Sequence, residues 1–306
     1  MKGTPLEKWL VFGFLCLFTL ATIYPVLNVV SISLRTDNAF QSKSLSFLEF
    51  DEPFEDTNLN GTWDEGEKFT DENTNGRWDE GSSFASYVIL FTETSFLKWA
   101  WNSFLITLVV TLTGVALAST SGYALSRFNF KGKQFGMISL MTTQMFPATM
   151  LLLPFFIILS KLGLIDSYLG LIIIYSSTAL PFCIWQMKGY YDTIPPALEE
   201  AARLDGCSRF QAFYKVILPL SAPALVITAL FSFMASWSEY VVAAVVLQDP
   251  ELYTLPLGLK SFQASLATQW GLYAAGAIVV SIPVTVLFVA LAKYLVSGLT
   301  LGSVKG

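Results

Sequence analysis

The residues best suited to chemistry lie at 54–82, where oxygen-bearing side chains recur at alternate positions. Asp56, Asn58, Asn60, Gly61 and Glu67 fill positions one, three, five, six and twelve of a calcium-loop template. Alternation turns the side-chain oxygens toward one point. The glycine permits a sharp turn, and a terminal glutamate can close the shell with both oxygens. Thr62 would offer its main-chain carbonyl, and Asp64 would coordinate directly or through water. The run FEDTNLNGTWDEGEK is followed by FTDENTNGRWDEGSS, the same pattern one fifteen-residue period later. The second copy supplies Asp71, Asn73, Asn75, Arg77 (in the place of Thr62) and Asp79. Ser82 stands at its twelfth position, so it is the weaker or incomplete loop. Helices do not clearly flank either copy, so the prediction is two calcium loops around Trp63 and Trp78, not an EF-hand pair. A solvated acidic loop with Asn-Gly turns is the plainer alternative.

Elsewhere the sequence excludes more than it offers. It has no histidine, which removes the commonest general base and metal ligand. Cys16, Cys183 and Cys207 do not cluster, so neither a disulfide framework nor a zinc site is supported. There is no GxxxxGK[ST] phosphate loop and no nucleophile–base constellation. No catalytic residue is predicted, no ATP site in this chain, and no nucleic-acid partner.

The elements that must position these residues are membrane helices. The chain has 306 residues, 54% of them hydrophobic. Its mean hydropathy is +0.56. Long apolar runs at 9–33, 99–125, 135–159, 168–187, 221–247 and 272–296 reach or approach the ~20 residues that cross ~30 Å of hydrocarbon. The predicted fold class is an all-α integral membrane protein with six transmembrane helices. It divides into 1–33 (cytoplasmic start and first span), 34–98 (external loop with the repeat), 99–296 (core) and 297–306 (cytoplasmic tail). The first run is read as an uncleaved signal anchor, since no small-x-small cleavage site follows it. The net charge of −5 conceals a local −9 over residues 51–81, leaving about +4 elsewhere. Arg127, Lys131, Lys133, Lys188, Arg203, Arg209, Lys215, Lys293 and Lys305 fall where a cytoplasmic N-terminus places inside loops. Both termini are therefore predicted inside and the acidic insert outside, in the periplasm or the external medium.

Within the spans, Glu239 is the one deep acid. A charge at mid-bilayer costs roughly 2.5–3.5 kcal/mol on insertion scales, so it is predicted to face protein or a water-filled pathway. Gln144, Met145 and Pro147 lie mid-span, where proline frees a carbonyl and allows a kink. Composition alone favours an ordinary proline-containing span. Tryptophans near span ends, among them Trp9, Trp99, Trp101 and Trp185, read as interfacial anchors.

Between two apolar runs lies the polar stretch EEAARLDGCSRFQAFYKVILPLSAP, residues 199–223. Asp192 or Thr193 can cap a helix that starts at Pro195–Pro196, and Glu199 and Glu200 suit its first turn. Gly206 should end that helix, and Ser208 should cap a second one through Phe210, Phe213 and Val216. The result is a helix–glycine–helix elbow.

Glu200-Ala201-Ala202, Gly206, Val216 and Leu218-Pro219 reproduce the EAA pattern of ABC-importer permeases, with valine at a usual isoleucine. The chain resembles the MalG-type permease subunits of maltose/maltodextrin importers. The likeness extends to QMFPA at 144–148 and to the ending from Leu299 to Gly306, but not to the acidic insert. The resemblance implies a MetI-like core in the last five spans, an EAA loop at 190–220 and a gate or cavity role for Gln144, Met145 and Pro147. It implies an inner-membrane location and three kinds of partner: a MalF-like second permease, a MalK-like ATPase dimer that binds the ATP, and an external sugar-binding protein. Glu199, Glu200, Ala201, Ala202, Asp205, Gly206, Val216, Leu218 and Pro219 would then couple the elbow to the ATPase. The tail 302–306 would reach between the ATPase subunits, and the loop at 248–271 would probe the binding protein. A permease for trehalose or another solute, and a calcium-binding membrane sensor, remain the alternatives.

Overall fold

The structure is a computed structural model; the residues it describes are 5–35, 54–57, 63–70, 78, 81, 83–263 and 268–301. Asn58, Asn60, Gly61, Thr62, Asp71, Asn73, Asn75, Arg77, Asp79, Ser82 and the tail 302–306 lie outside the described residues.

The described residues are helical apart from connections and one isolated β-bridge. Helix α1 spans Pro5–Leu34, α2 Ala85–Thr92, α3 Phe96–Arg127, α4 Lys133–Thr143, α5 Leu152–Leu162 and α6 Tyr168–Thr193. Then come α7 at Ala197–Leu204, α8 at Arg209–Ala212, α9 at Leu218–Leu220, α10 at Ala222–Trp237, α11 at Val241–Val246, α12 at Leu255–Ser261 and α13 at Trp270–Leu301. Among the described residues four helices are long and apolar enough to cross a membrane: Glu7–Leu34, Phe96–Arg127, Tyr168–Thr193 and Trp270–Ala292. The other two predicted spans are not single helices. The run at 135–159 is interrupted between α4 and α5, with a 3-10 turn at Ala148–Leu151. The run at 221–247 is interrupted between α10 and α11, and α10 meets the helical segment before it at 77°.

The chain forms two compact units. The first comprises 1–96 and 259–281. In it α1 exposes every described side chain from Glu7 to Asn28, an apolar surface fit for lipid or another subunit. Its end is anchored: Ser33 bonds Tyr87 at 2.9 Å, and the Ser83 N–H donates to the Leu34 carbonyl at 2.8 Å.

The acidic insert belongs to this unit. Phe54 and Phe69, one repeat apart, form the antiparallel bridge. Trp63 and Trp78, also one repeat apart, stack with centroids 5.3 Å apart and planes 12° from parallel. Equivalent residues of the two copies thus meet at these two positions.

The second unit comprises 97–258 and 282–306, and α6 contributes to two hydrophobic cores among its described residues. One core gathers Leu171, Ile174 and Tyr175 of α6 with Ile106, Val110, Leu159, Val242 and Val246. The other gathers Cys183, Met187 and Tyr191 of α6 with Ala118, Phe213, Ile217 and Ala224. Helices approach closely where residues are small. A Cβ added at Gly122 of α3 would lie 2.9 Å from the Met187 Cβ and 3.0 Å from the Lys188 nitrogen. Such close backbone approach is how membrane helices gain dispersion contacts that the bilayer does not otherwise favour.

Candidate functional site

The elbow is built largely as the sequence dictates. α7 opens after Pro195–Pro196, whose fixed φ suits a first turn. It ends at Gly206, with φ +89°, and the Cys207 N–H reaches back to the Ala202 carbonyl at 3.0 Å. Ser208 caps α8 in a capping box: its Oγ accepts from the Gln211 N–H, and Gln211 Oε1 accepts from the Ser208 N–H. Two details differ from expectation. α6 runs on through Thr193, and Asp192 is no cap; its carboxylate accepts from Ser126 at 2.6 Å and pairs with Lys188. The second helix is a single turn that widens into a π-turn at Phe213–Ile217. Pro219 follows that turn, and the helical path continues through it to Leu220 before it bends by 77° into α10.

The coupling residues point in different directions. Glu200, Ala201, Asp205, Gly206 and Pro219 are exposed, whereas Ala202 is buried and Val216 and Leu218 are half-buried. Around the exposed set stand Leu204 at 89%, Phe210 at 74% and Tyr214 at 62% exposure. These three large apolar side chains are left uncovered by the chain's own packing.

Glu199 instead turns inward. Tyr123 donates to one of its oxygens at 2.8 Å, and the Arg127 Nε donates to the other. These groups line a cleft of about 290 Å³ with Phe128, Glu200, Arg203 and Arg209. Sequence reasoning missed Tyr123 and Arg127 because they lie more than 70 positions upstream of Glu199.

The two helix interruptions are also tied down. At the first, the Gln144 side-chain amide donates to the Thr178 carbonyl at 3.1 Å. Met145, Phe146 and Pro147 are exposed. At the second, Glu239 accepts from the Tyr175 hydroxyl at 2.8 Å and from the N–H groups of Val242 at 2.8 Å and Ala243 at 3.2 Å. Glu239 therefore faces protein, on partners within its own chain.

In the insert, Glu67 folds back across its loop. Its Oε1 accepts from the Thr57 N–H at 2.9 Å and the Thr57 hydroxyl at 2.7 Å, and its Oε2 accepts from the Asp64 N–H at 3.1 Å. Gly66, with φ +110°, makes the turn before it. Among the described residues no three His, Cys, Asp or Glu side chains converge to hold a metal ion.

Residues 111–301, well over half of the chain, match the family described as the binding-protein-dependent transport system inner membrane component. The chain belongs to this family. It is thus a multi-pass membrane transport component of the ABC-importer permease type. The maltodextrin transport system permease protein MdxG of Bacillus subtilis is 34% identical over 98% of this chain and 97% of its own length. The maltose/maltodextrin transport system permease protein MalG of Vibrio vulnificus is 39% identical over 69% of this chain and 73% of its own. A chain of a bacterial ABC transporter for the acidic polysaccharide alginate superposes with a TM-score of 0.74 at 23% identity. That likeness covers 96% of this chain and 98% of the other, and it supports the fold.

Proposed function

We propose that this chain is one of two permease subunits of an ATP-driven importer that carries maltose and maltodextrins, and that its elbow receives the ATPase. The observation that carries the coupling half is the exposed face of the elbow, where Glu200 and Ala201 sit among Leu204, Phe210 and Tyr214. A cytoplasmic ATPase would cover those apolar side chains, and Glu200 would pair with one of its basic residues. Closure of the ATPase by ATP would move the elbow and bias the membrane helices toward one of two arrangements. Support for the sugar comes from the MdxG and MalG relatives. An external binding protein would deliver it, and both termini would face the cytoplasm.

The exposed turn Met145-Phe146-Pro147 would line the gate or the cavity beneath it. The insert would hold Ca²⁺ outside the membrane, Glu67 closing the first loop once it exchanges its N–H partners for the ion. Nothing in the fold favours a sensor over a permease.

The test is uptake of labelled maltose, maltotriose and trehalose by cells with the chain intact and deleted. Loss of maltose and maltotriose uptake supports the reading, and normal uptake of both removes the substrate. In parallel, Glu200→Lys and Gly206→Pro should leave the protein in the membrane with little ATPase attached. Undiminished co-purification of ATPase in both would remove the docking role.

A further inference from the structure

The elbow is continuous with α6 on one side and, through α9, with α10 on the other. A third attachment is not covalent. The last turn of α3 and the residue after it grip both helices of the elbow. Toward α7, Arg127 and Tyr123 share the two oxygens of Glu199, and Arg127 Nη2 donates to the Ile194 carbonyl at 2.8 Å. Toward α8, the Arg209 guanidinium lies 5.8 Å from the centre of the Phe128 ring. In the π-turn, the Phe213 ring is centred 4.5 Å from that of Tyr123. Ser126 completes the grip by donating to Asp192 at 2.6 Å.

The Arg127 and Glu199 side chains are only 12% and 14% exposed. A pair so withdrawn from water is costly to break by removing one partner, because the other is left buried and charged. The guanidinium fork is also planar and engaged on two sides, so it fixes direction as well as distance. A rigid attachment of this kind transmits displacement, whereas an exposed pair would slip.

We propose that Arg127 is a positioning residue that passes movement of the elbow to α3 through Glu199, making α3 a third route by which the ATPase cycle reaches the membrane. This rests on the elbow reading above. It assigns Glu199 a task distinct from that of Glu200: Glu200 faces the partner, and Glu199 faces the helix that the partner must move.

The test uses the importer purified with its own partners and reconstituted in liposomes, with Arg127→Glu, Glu199→Arg, the double exchange, Arg127→Lys and Tyr123→Phe. ATPase retained on the complex reports docking, and labelled maltotriose transported per ATP hydrolysed reports coupling. Each single reversal should keep its ATPase and lose about tenfold in sugar moved per ATP, a typical coupling magnitude. The double exchange should regain most of that loss. Should a reversal prevent assembly, Arg127→Lys decides, since it keeps the charge and loses the fork; sugar per ATP should fall at normal ATPase content. Full coupling in Arg127→Lys and in the assembled reversals overturns the proposal. Loss of ATPase from Arg127→Lys as well would also overturn it, because the pair would then only shape the docking face. ATPase retention in Glu200→Lys and Gly206→Pro would instead overturn the elbow reading, and absent maltotriose uptake by the unaltered complex would overturn the sugar.

Discussion

Removing the Glu239 carboxylate should be among the most damaging single changes in the membrane part of the protein. Three donors converge on it: the Tyr175 hydroxyl and the N–H groups of Val242 and Ala243. Tyr175, Val242 and Ala243 are 3%, 4% and 0% exposed, so water is a poor substitute. An unsatisfied buried donor costs about 1–3 kcal/mol. If the cavity left by Glu239→Ala admits one water that serves one donor, two remain, and the expected loss is about 2–6 kcal/mol. Tyr175→Phe removes one donor and leaves Glu239 its two N–H groups, so a charge-assisted bond of about 1.5–3 kcal/mol is at stake. For a chain of this size, thermal unfolding of the purified complex should fall by roughly 2–4 °C per kcal/mol. Tyr175→Phe should cost little or nothing in the Glu239→Ala background, because the hydroxyl has already lost its acceptor. The same cost in both backgrounds would refute the pairing. An unchanged melting temperature in Glu239→Ala would refute the burial argument as a whole.

Two further outcomes follow from the close contacts and the insert. Gly122→Ala sets its Cβ 2.9 Å from the Met187 Cβ and 3.0 Å from the Lys188 nitrogen, and overpacking of this kind costs about 1–3 kcal/mol. Gly136→Ala on α4, where nothing lies within 4 Å of the new methyl, is the control and should match or exceed the unaltered protein in melting temperature. Calcium added to the chelator-treated complex should change the emission of the stacked Trp63 and Trp78, with half-effect near ~10⁻⁴–10⁻³ M as for extracellular modules. Glu67→Gln should weaken that response at least several-fold, and an identical response to magnesium would remove calcium from the insert.

Much of the fold was legible because long apolar runs admit few alternatives in lipid: α1, α3, α6 and α13 lie where hydropathy puts them. The elbow was legible for a different reason. Gly206 and Ser208 act on their immediate neighbours, and local capping chemistry needs no knowledge of the rest of the chain. What failed was reading Asp192 as local. An acid ahead of two prolines looks like a cap, but Ser126 and Lys188 compete for it and hold it on α6. Likewise Glu199 and Glu200 are adjacent and alike in the sequence. Their divergence arises from the 100° step between successive helix positions, which sets one toward Arg127 and the other outward. Arg127 itself reads as an ordinary inside-loop charge; only tertiary contact reveals what it holds.

The interruptions in the third and fifth apolar runs are linked by the helix between them. A break in a membrane helix frees N–H and carbonyl groups that lipid cannot satisfy, so a neighbour must cover it. Each break is tied to one turn of α6 by a side chain: the Gln144 amide donates to the Thr178 carbonyl, and the Tyr175 hydroxyl donates to Glu239, which itself takes the Val242 and Ala243 N–H groups. Pro181 follows three residues later in the same helix and leaves a further carbonyl without its usual partner. Irregular backbone at three places would be expensive if each stood alone. Both breaks are bonded to the same turn of this helix, so a shift of α6 at that level must disturb both together.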